Sequence, residues 1–131
     1  MAHNPAALDT EITTFLTERH LASLTTMRAD NTPHVVAVGF TWDPEESLVR
    51  VITWAGSRKA RNVDDRPGSP AAVCQVDGGR WLSLEGTATV TSDPERVAMA
   101  VKRYGDRYRE PKQRDDRVVI EIAITRIMGR G

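Results

Sequence analysis

The short basic run Gly56-Ser57-Arg58-Lys59-Ala60-Arg61-Asn62 holds the residues of this chain best suited to chemistry. Ser57 is a good N-cap, so Arg58 and Lys59 fall in the first turn of a helix, where free backbone N–H groups already carry partial positive charge. Cations are disfavoured there unless an anion joins them. A helix start with Arg and Lys beside it is therefore a site for a phosphate or a carboxylate. The competing reading is a solvated basic turn.

No conventional catalytic set accompanies this turn. His3, His20 and His34 are too scattered for a metal motif, and Ser57 lacks the Gly-x-Ser-x-Gly context of a hydrolase elbow. Glu85 has no second acid beside it in sequence and reads as a solvent-facing or interface carboxylate. Lys102 to Arg117 is rich in cations, but Asp106, Glu110, Asp115 and Asp116 interleave with them, as on a solvated face. Cys74 is the single cysteine; it excludes an internal disulfide, suits a reducing compartment and reads as a small buried apolar residue. A phosphate site without acid–base machinery implies that a bound cofactor carries the reaction.

Composition bounds what positions the turn. With 131 residues the chain forms one domain, residues 1–131, with a single core that pairing with another subunit would enlarge. Eighteen Lys and Arg balance eighteen Asp and Glu, so no global field draws the chain to nucleic acid or to an anionic membrane. Met1 to Thr10 lacks a signal-peptide pattern, and no apolar stretch is of membrane-spanning length, so the expected location is cytoplasmic.

Leu8, Ile12, Phe15 and Leu16 recur at helical spacing after Asp9, predicting a short helix that ends near Arg19 or His20. Strands follow over Leu21 to Arg28, His34 to Trp42 and Leu48 to Trp54, separated by the turn residues Ala29 to Pro33 and Asp43 to Glu46. The second is apolar on both faces from Val35 to Phe40, so something must cover its outer side. The helix from Ser57 is stopped by Arg66-Pro67-Gly68-Ser69-Pro70. Ala71 to Val76 and Arg80 to Thr91 then form a hairpin around Asp77-Gly78-Gly79. Asp93-Pro94 opens a second long helix with Val97, Val101, Tyr104 and Tyr108 in its apolar stripe and Gly105 near its end. A final strand alternates from Val118 to Thr125. Six antiparallel strands with short flanking helices predict a mainly β, Greek-key barrel, and the doubly apolar strand predicts a homodimer.

Leu21-Ala22-Ser23-Leu24-Thr25-Thr26, Thr32 to Val38, Ser57 to Asn62 and Arg80-Trp81-Leu82-Ser83-Leu84-Glu85-Gly86-Thr87-Ala88 together resemble the split β-barrel flavin/deazaflavin oxidoreductases, the superfamily of the pyridoxamine 5′-phosphate oxidases. The resemblance runs in order from about Leu8 to Met128. Within it, His34 to Phe40 and Arg80 to Gly86 most resemble the actinobacterial branch that uses coenzyme F420, its biliverdin reductases in particular.

The resemblance implies a homodimer of six-stranded split barrels with cofactor sites at the interface. It implies that Ser57, Lys59 and Asn62, with Arg58 beside them, hold the cofactor phosphate, and that Thr53 and Trp54 lie along the ring. Arg80 and Trp81 match positions that approach the cofactor or the partner's site. Some members carry Arg where this chain has Ser57. The expected activity is hydride transfer from reduced F420 to a conjugated tetrapyrrole, most readily biliverdin to bilirubin, with an FMN-dependent oxidase or reductase, or a carrier of F420 or a haem-type ligand, as alternatives. The polyanionic end of F420 suits Arg58, Lys59 and Arg61. Two propionates on a tetrapyrrole would need cationic partners, for which Arg80 and the Lys112 to Arg117 loop are candidates by charge.

Overall fold

A computed structural model describes all of residues 1–131. Eight strands form one antiparallel sheet: β1 (Ala2–His3), β2 (Ala22–Met27), β3 (Pro33–Val38), β4 (Thr41–Asp43), β5 (Leu48–Trp54), β6 (Ser69–Asp77), β7 (Arg80–Thr91) and β8 (Arg117–Arg130). Three helices accompany them: α1 (Thr10–Thr17), α2 (Arg58–Asp65) and α3 (Pro94–Arg107). The sheet path is β3-β2-β6-β7-β8-β5-β4, with β1 added to the end of β8. Its two outermost strands, β3 and β4, are consecutive in the chain, so the sheet curls until its edges meet through the backbone rather than through a ladder. β4 pairs only with Leu48 to Arg50 of β5, so Val51 to Trp54 have no strand on that side. The barrel is split there, beside β3.

The fold is the expected mainly β barrel, with eight strands in place of six. The extra two are the short β1 and the product of a break in the predicted strand His34 to Trp42 at Gly39-Phe40. The break has a local cause. Tyr108 Oη accepts the Phe40 N–H at 3.1 Å and donates to the His20 carbonyl at 2.6 Å, while Arg107 Nη1 donates to the Phe40 carbonyl at 2.7 Å. The end of α3 thus takes up the backbone groups that a ladder would have used. Gly39 permits this approach, because a Cβ there would stand 3.0 Å from both Tyr104 and Tyr108.

Gly105 lies inside α3 rather than at its end, and the helix closes after Arg107. β8 runs on to Arg130, past the predicted limit at Thr125. What hid this extension is a bulge: Glu85 faces Arg126 while Gly86 faces Ile124, so Thr125 is unpaired. The bulge shifts the side-chain phase, and Ile120, Ile122 and Ile124 point inward, followed by Ile127. A strict two-residue period cannot span it.

The barrel interior is filled by Leu24, Val49, Val51, Val73, Leu82, Leu84, Ala88, Ile120 and Ile122, and α1 closes one side with Ile12, Phe15 and Leu16. Truncating one of these fully buried leucines to alanine would cost about 2–5 kcal/mol. On the opposite face of β5, beneath α3, a guanidinium is buried. Arg50, 1 % exposed, bonds Asp43 at 2.7 Å, Glu46 at 2.7 Å and Glu121 at 3.4 Å. Arg96 of α3 shares Glu121, and Arg103 reaches Asp43 at 3.7 Å. These ions fasten α3 to β4, β5 and β8, which sets where the loop after α3 crosses the split.

Candidate functional site

A cleft of about 480 Å³ lies at the split. Its walls come from Ala37 to Gly39, from Ile52 to Trp54, from Lys59 at the start of α2, from Tyr104 of α3 and from the 109–117 loop. The unpaired end of β5 delivers the chain directly into α2, so the anion turn and the cleft share one strand end.

The turn has the predicted cap. Ser57 Oγ accepts the Ala60 N–H at 3.3 Å and the Thr53 hydroxyl at 3.0 Å. The N–H groups of Arg58 and Lys59 are left pointing out of the helix start. Ser57 and Asn62 are 4 % and 5 % exposed, and Asn62 donates to Thr26 Oγ1 at 3.1 Å. Both therefore brace the turn from within: Ser57 joins α2 to β5, and Asn62 joins it to β2.

Lys59 faces the cleft. Its ammonium lies 4.8 Å from the centre of the Trp54 ring, no carboxylate pairs with it, and burial pushes its pKa below the usual lysine range. Arg114 approaches the same ring at 5.0 Å and is held by both oxygens of Asp116. Trp54 itself is 41 % exposed. Arg58 turns the other way, into a neighbouring groove with Arg28 and Arg66. His34 lies near both basic residues and Arg28; burial, followed by those charges, lowers its pKa, and its Nδ1 is buried without a partner.

Thr53, Trp54, Ser57, Arg58, Lys59 and Asn62 are thus gathered at one strand end. Arg80 and Trp81 are not. Within the protomer they lie at the β6–β7 hairpin, where Arg80 bonds Asp77 and Glu18 and stacks on Phe15 with its guanidinium carbon 4.3 Å from the ring centre. The neighbouring acids Glu18 and Asp77, which approach His20, are therefore engaged by a cation. Trp81 lies on the outer face at the same hairpin and does not line the cleft.

Sequence reasoning missed part of the site. Tyr104 reads as core stripe but lines the cleft, and Arg109, Lys112, Arg114 and Arg117 read as a solvated face but form one of its walls. In all, five cations and the single carboxylate of Glu110 line it. The charge excess was hidden because Asp115 and Asp116 follow in sequence, while only Asp116 meets a cation of the wall, Arg114.

Comparison with known proteins agrees with this fold. The sequence pattern of the family described as pyridoxamine 5′-phosphate oxidase matches residues 8–130. The chain is 55 % identical over 129 residues to the F420H(2)-dependent biliverdin reductase of Mycobacterium tuberculosis (strain CDC 1551 / Oshkosh), covering 98 % of this chain and 93 % of that one. Its fold matches a solved F420 reductase with a TM-score of 0.73 at 27 % identity, over 93 % of this chain and 98 % of that one. It also matches a conserved hypothetical protein of Mycobacterium tuberculosis with a TM-score of 0.79, 23 % identity and coverage of 95 % and 84 %, a likeness of fold alone. A match across nearly the whole chain, joined to a split barrel with a capped basic turn at the split, places the chain in the pyridoxamine 5′-phosphate oxidase family.

Proposed function

We propose that this protein is an F420H2-dependent reductase that delivers a hydride to a conjugated tetrapyrrole, with biliverdin as the acceptor. The observation that carries this reading is the cleft itself: a cationic pocket beside a capped helix start, with an aromatic wall. The 55 % identity to a biliverdin reductase supports both the cofactor and the acceptor.

The residues fit F420. Its phosphate suits the Arg58 and Lys59 N–H groups and the Lys59 ammonium, which has no carboxylate of its own. When bound, the reduced deazaflavin supplies the hydride. The protein's part is to bind, orient and exclude water. Thr53 and Trp54 border the ring region, and Val38 and Ile52 give it apolar walls. Ser57 and Asn62 act by holding the turn in shape. Arg80 and Trp81 lie outside the protomer's own cleft and would serve a partner subunit's.

That subunit is part of the proposal. Val35, Leu21 and Val76 are exposed on the outer face of β3 and its neighbours, as the doubly apolar strand required. A homodimer covers them. No helix of the chain is long and apolar enough to cross a membrane, and a cytoplasmic location suits the lone cysteine.

The deciding experiment follows F420H2 oxidation by absorbance with and without biliverdin, beside an FMN titration. Biliverdin-dependent oxidation with weak FMN binding is the expected result. Tight FMN binding without F420H2 turnover would place the protein among the flavin-dependent members of its family.

A further inference from the structure

We infer that Arg109 and Lys112 form a carboxylate-binding pair that selects the acceptor, so that the cleft takes a dicarboxylate tetrapyrrole as its free acid. This rests on the reductase reading above and names what that reading leaves open.

Three observations carry it. First, the cations of the cleft are not equivalent. Lys59 belongs to the helix start, and Arg114 is neutralised by Asp116 through two bonds of 2.9 and 3.2 Å. Arg117 gives its guanidinium to the Lys112 carbonyl, whereas Arg109 and Lys112 line the cleft with side chains that make no hydrogen bond or ion pair within the protomer, not even with Glu110, the cleft's one carboxylate. Second, the loop that carries them is anchored. Tyr108 is fixed to the His20 and Phe40 backbone at one end, the Ala55 N–H holds the Asp116 carbonyl at 2.9 Å at the other, and Arg117 donates to the Lys112 carbonyl. An anchored backbone with free ammonium and guanidinium heads loses less entropy when it captures an anion.

Third, the other candidate cation is spoken for. Arg80 lies away from its own protomer's cleft and is already bonded to Glu18 and Asp77, so at a partner subunit's cleft it presents a paired guanidinium rather than a free one.

Carboxylates could reach this wall from two sources, the glutamyl end of the cofactor or the acceptor. The layout favours the acceptor. The helix start separates the cleft from the groove of Arg28, Arg58 and Arg66. In a cofactor with its phosphate at that start and its ring in the cleft, the anionic end can turn to Arg58, which faces this second groove and makes no ion pair, although Asp30 and Asp65 also line it. Arg109 and Lys112, on the loop that crosses the split, are left for the ligand that meets the ring.

The test uses the full-length protein and the exposed variants Arg109→Gln, Lys112→Gln and the double variant. Biliverdin and its dimethyl ester are each titrated into cofactor-free protein by absorbance, F420 is titrated separately, and KM is measured for both acceptors. Expected are a preference of the native protein for the free acid, a loss of biliverdin affinity of about tenfold or more in the double variant, collapse of the acid-over-ester preference, and unchanged F420 affinity. Equal use of acid and ester by the native protein would overturn the inference. So would a fall in F420 affinity that grows with the number of glutamates, which would assign the pair to the cofactor. Failure of the native protein to oxidise F420H2 with any acceptor would instead remove the reductase reading, which the direct biliverdin titration distinguishes.

Discussion

Lys59 stands over Trp54, its ammonium 4.8 Å from the ring centre, at the point where β5 runs into α2. A cation–π contact of this kind is worth about 0.5–2 kcal/mol, less than an ion pair with a bound phosphate would add. The two roles are compatible, because the aromatic face holds the charge in the cleft without neutralising it. Lys59→Ala should weaken F420 binding by about tenfold to a hundredfold, the range expected for a hydrogen bond to a charged group. Titration of F420 measures this, and an unaltered thermal midpoint would show that the barrel is intact. Unchanged affinity would remove Lys59 from the site.

The same residue sets a pH dependence. Burial lowers the pKa of Lys59, which destabilises its charged form in the free protein. A bound phosphate favours that charged form, so binding is linked to proton retention on Lys59. F420 affinity should be flat at neutral pH and decline as pH rises through the lowered value, beginning below the pH at which an ordinary lysine would act. In Lys59→Arg the charge persists and this decline should vanish. Kd measured against pH in the two proteins decides the point.

Two glycines of similar appearance in the sequence should respond in opposite ways. A Cβ on Gly86 would lie 1.9 Å from the Ala123 carbonyl oxygen, where β7 closes on β8 beside the bulge. Gly86→Ala should lower stability by at least about 2 kcal/mol, since backbone must move. Gly105 lies in the interior of α3, and the nearest neighbour to a Cβ there is Glu110 Cα at 3.8 Å. Gly105→Ala should raise stability by about 0.5–1 kcal/mol by removing unfolded-state freedom and improving helix propensity. Denaturant midpoints of the two variants on opposite sides of the native value are the expected outcome.

These glycines also mark what was legible in the chain. The hairpin at Asp77-Gly78-Gly79 declares itself, and Gly78 adopts a φ of 60° as such a turn needs. The Ser57 cap and the Asp93 cap are equally local and are both found, the latter accepting the Arg96 N–H at 3.0 Å. What escaped was set by partners far away in sequence. The Gly39-Phe40 break depends on Tyr108, the phase slip at Thr125 depends on β7, and the burial of Arg50 beneath α3 depends on Asp43 and Glu121. The cationic wall of the cleft escaped for the same reason, because pairing between Arg114 and Asp116 leaves Arg109 and Lys112 uncovered in space although acids surround them in sequence.

The buried ion cluster yields the last prediction. Burial alone would raise the Asp43 pKa, but the Arg50 hydrogen bond, the Glu46 and Glu45 N–H groups and the Arg103 charge outweigh it and hold the carboxyl below its ordinary value. A carboxylate depressed in the folded state contributes stability above its unfolded pKa and loses that contribution as pH falls through the folded one. Acid unfolding should therefore draw on Asp43 only below the ordinary aspartate range. Asp43→Asn removes the group whose charge faces Arg50 and leaves the guanidinium, 1 % exposed, with only part of its compensation. The expected cost is about 3–5 kcal/mol at neutral pH, the range for breaking a buried pair, and the variant's deficit should shrink as pH falls and native Asp43 becomes protonated. Glu46→Gln is the internal comparison: Glu46 also bonds Arg50 at 2.7 Å, but its side chain is 45 % exposed, so its loss should cost far less. Equal deficits for the two variants would mean that Arg50 draws no special support from the buried side of its cluster.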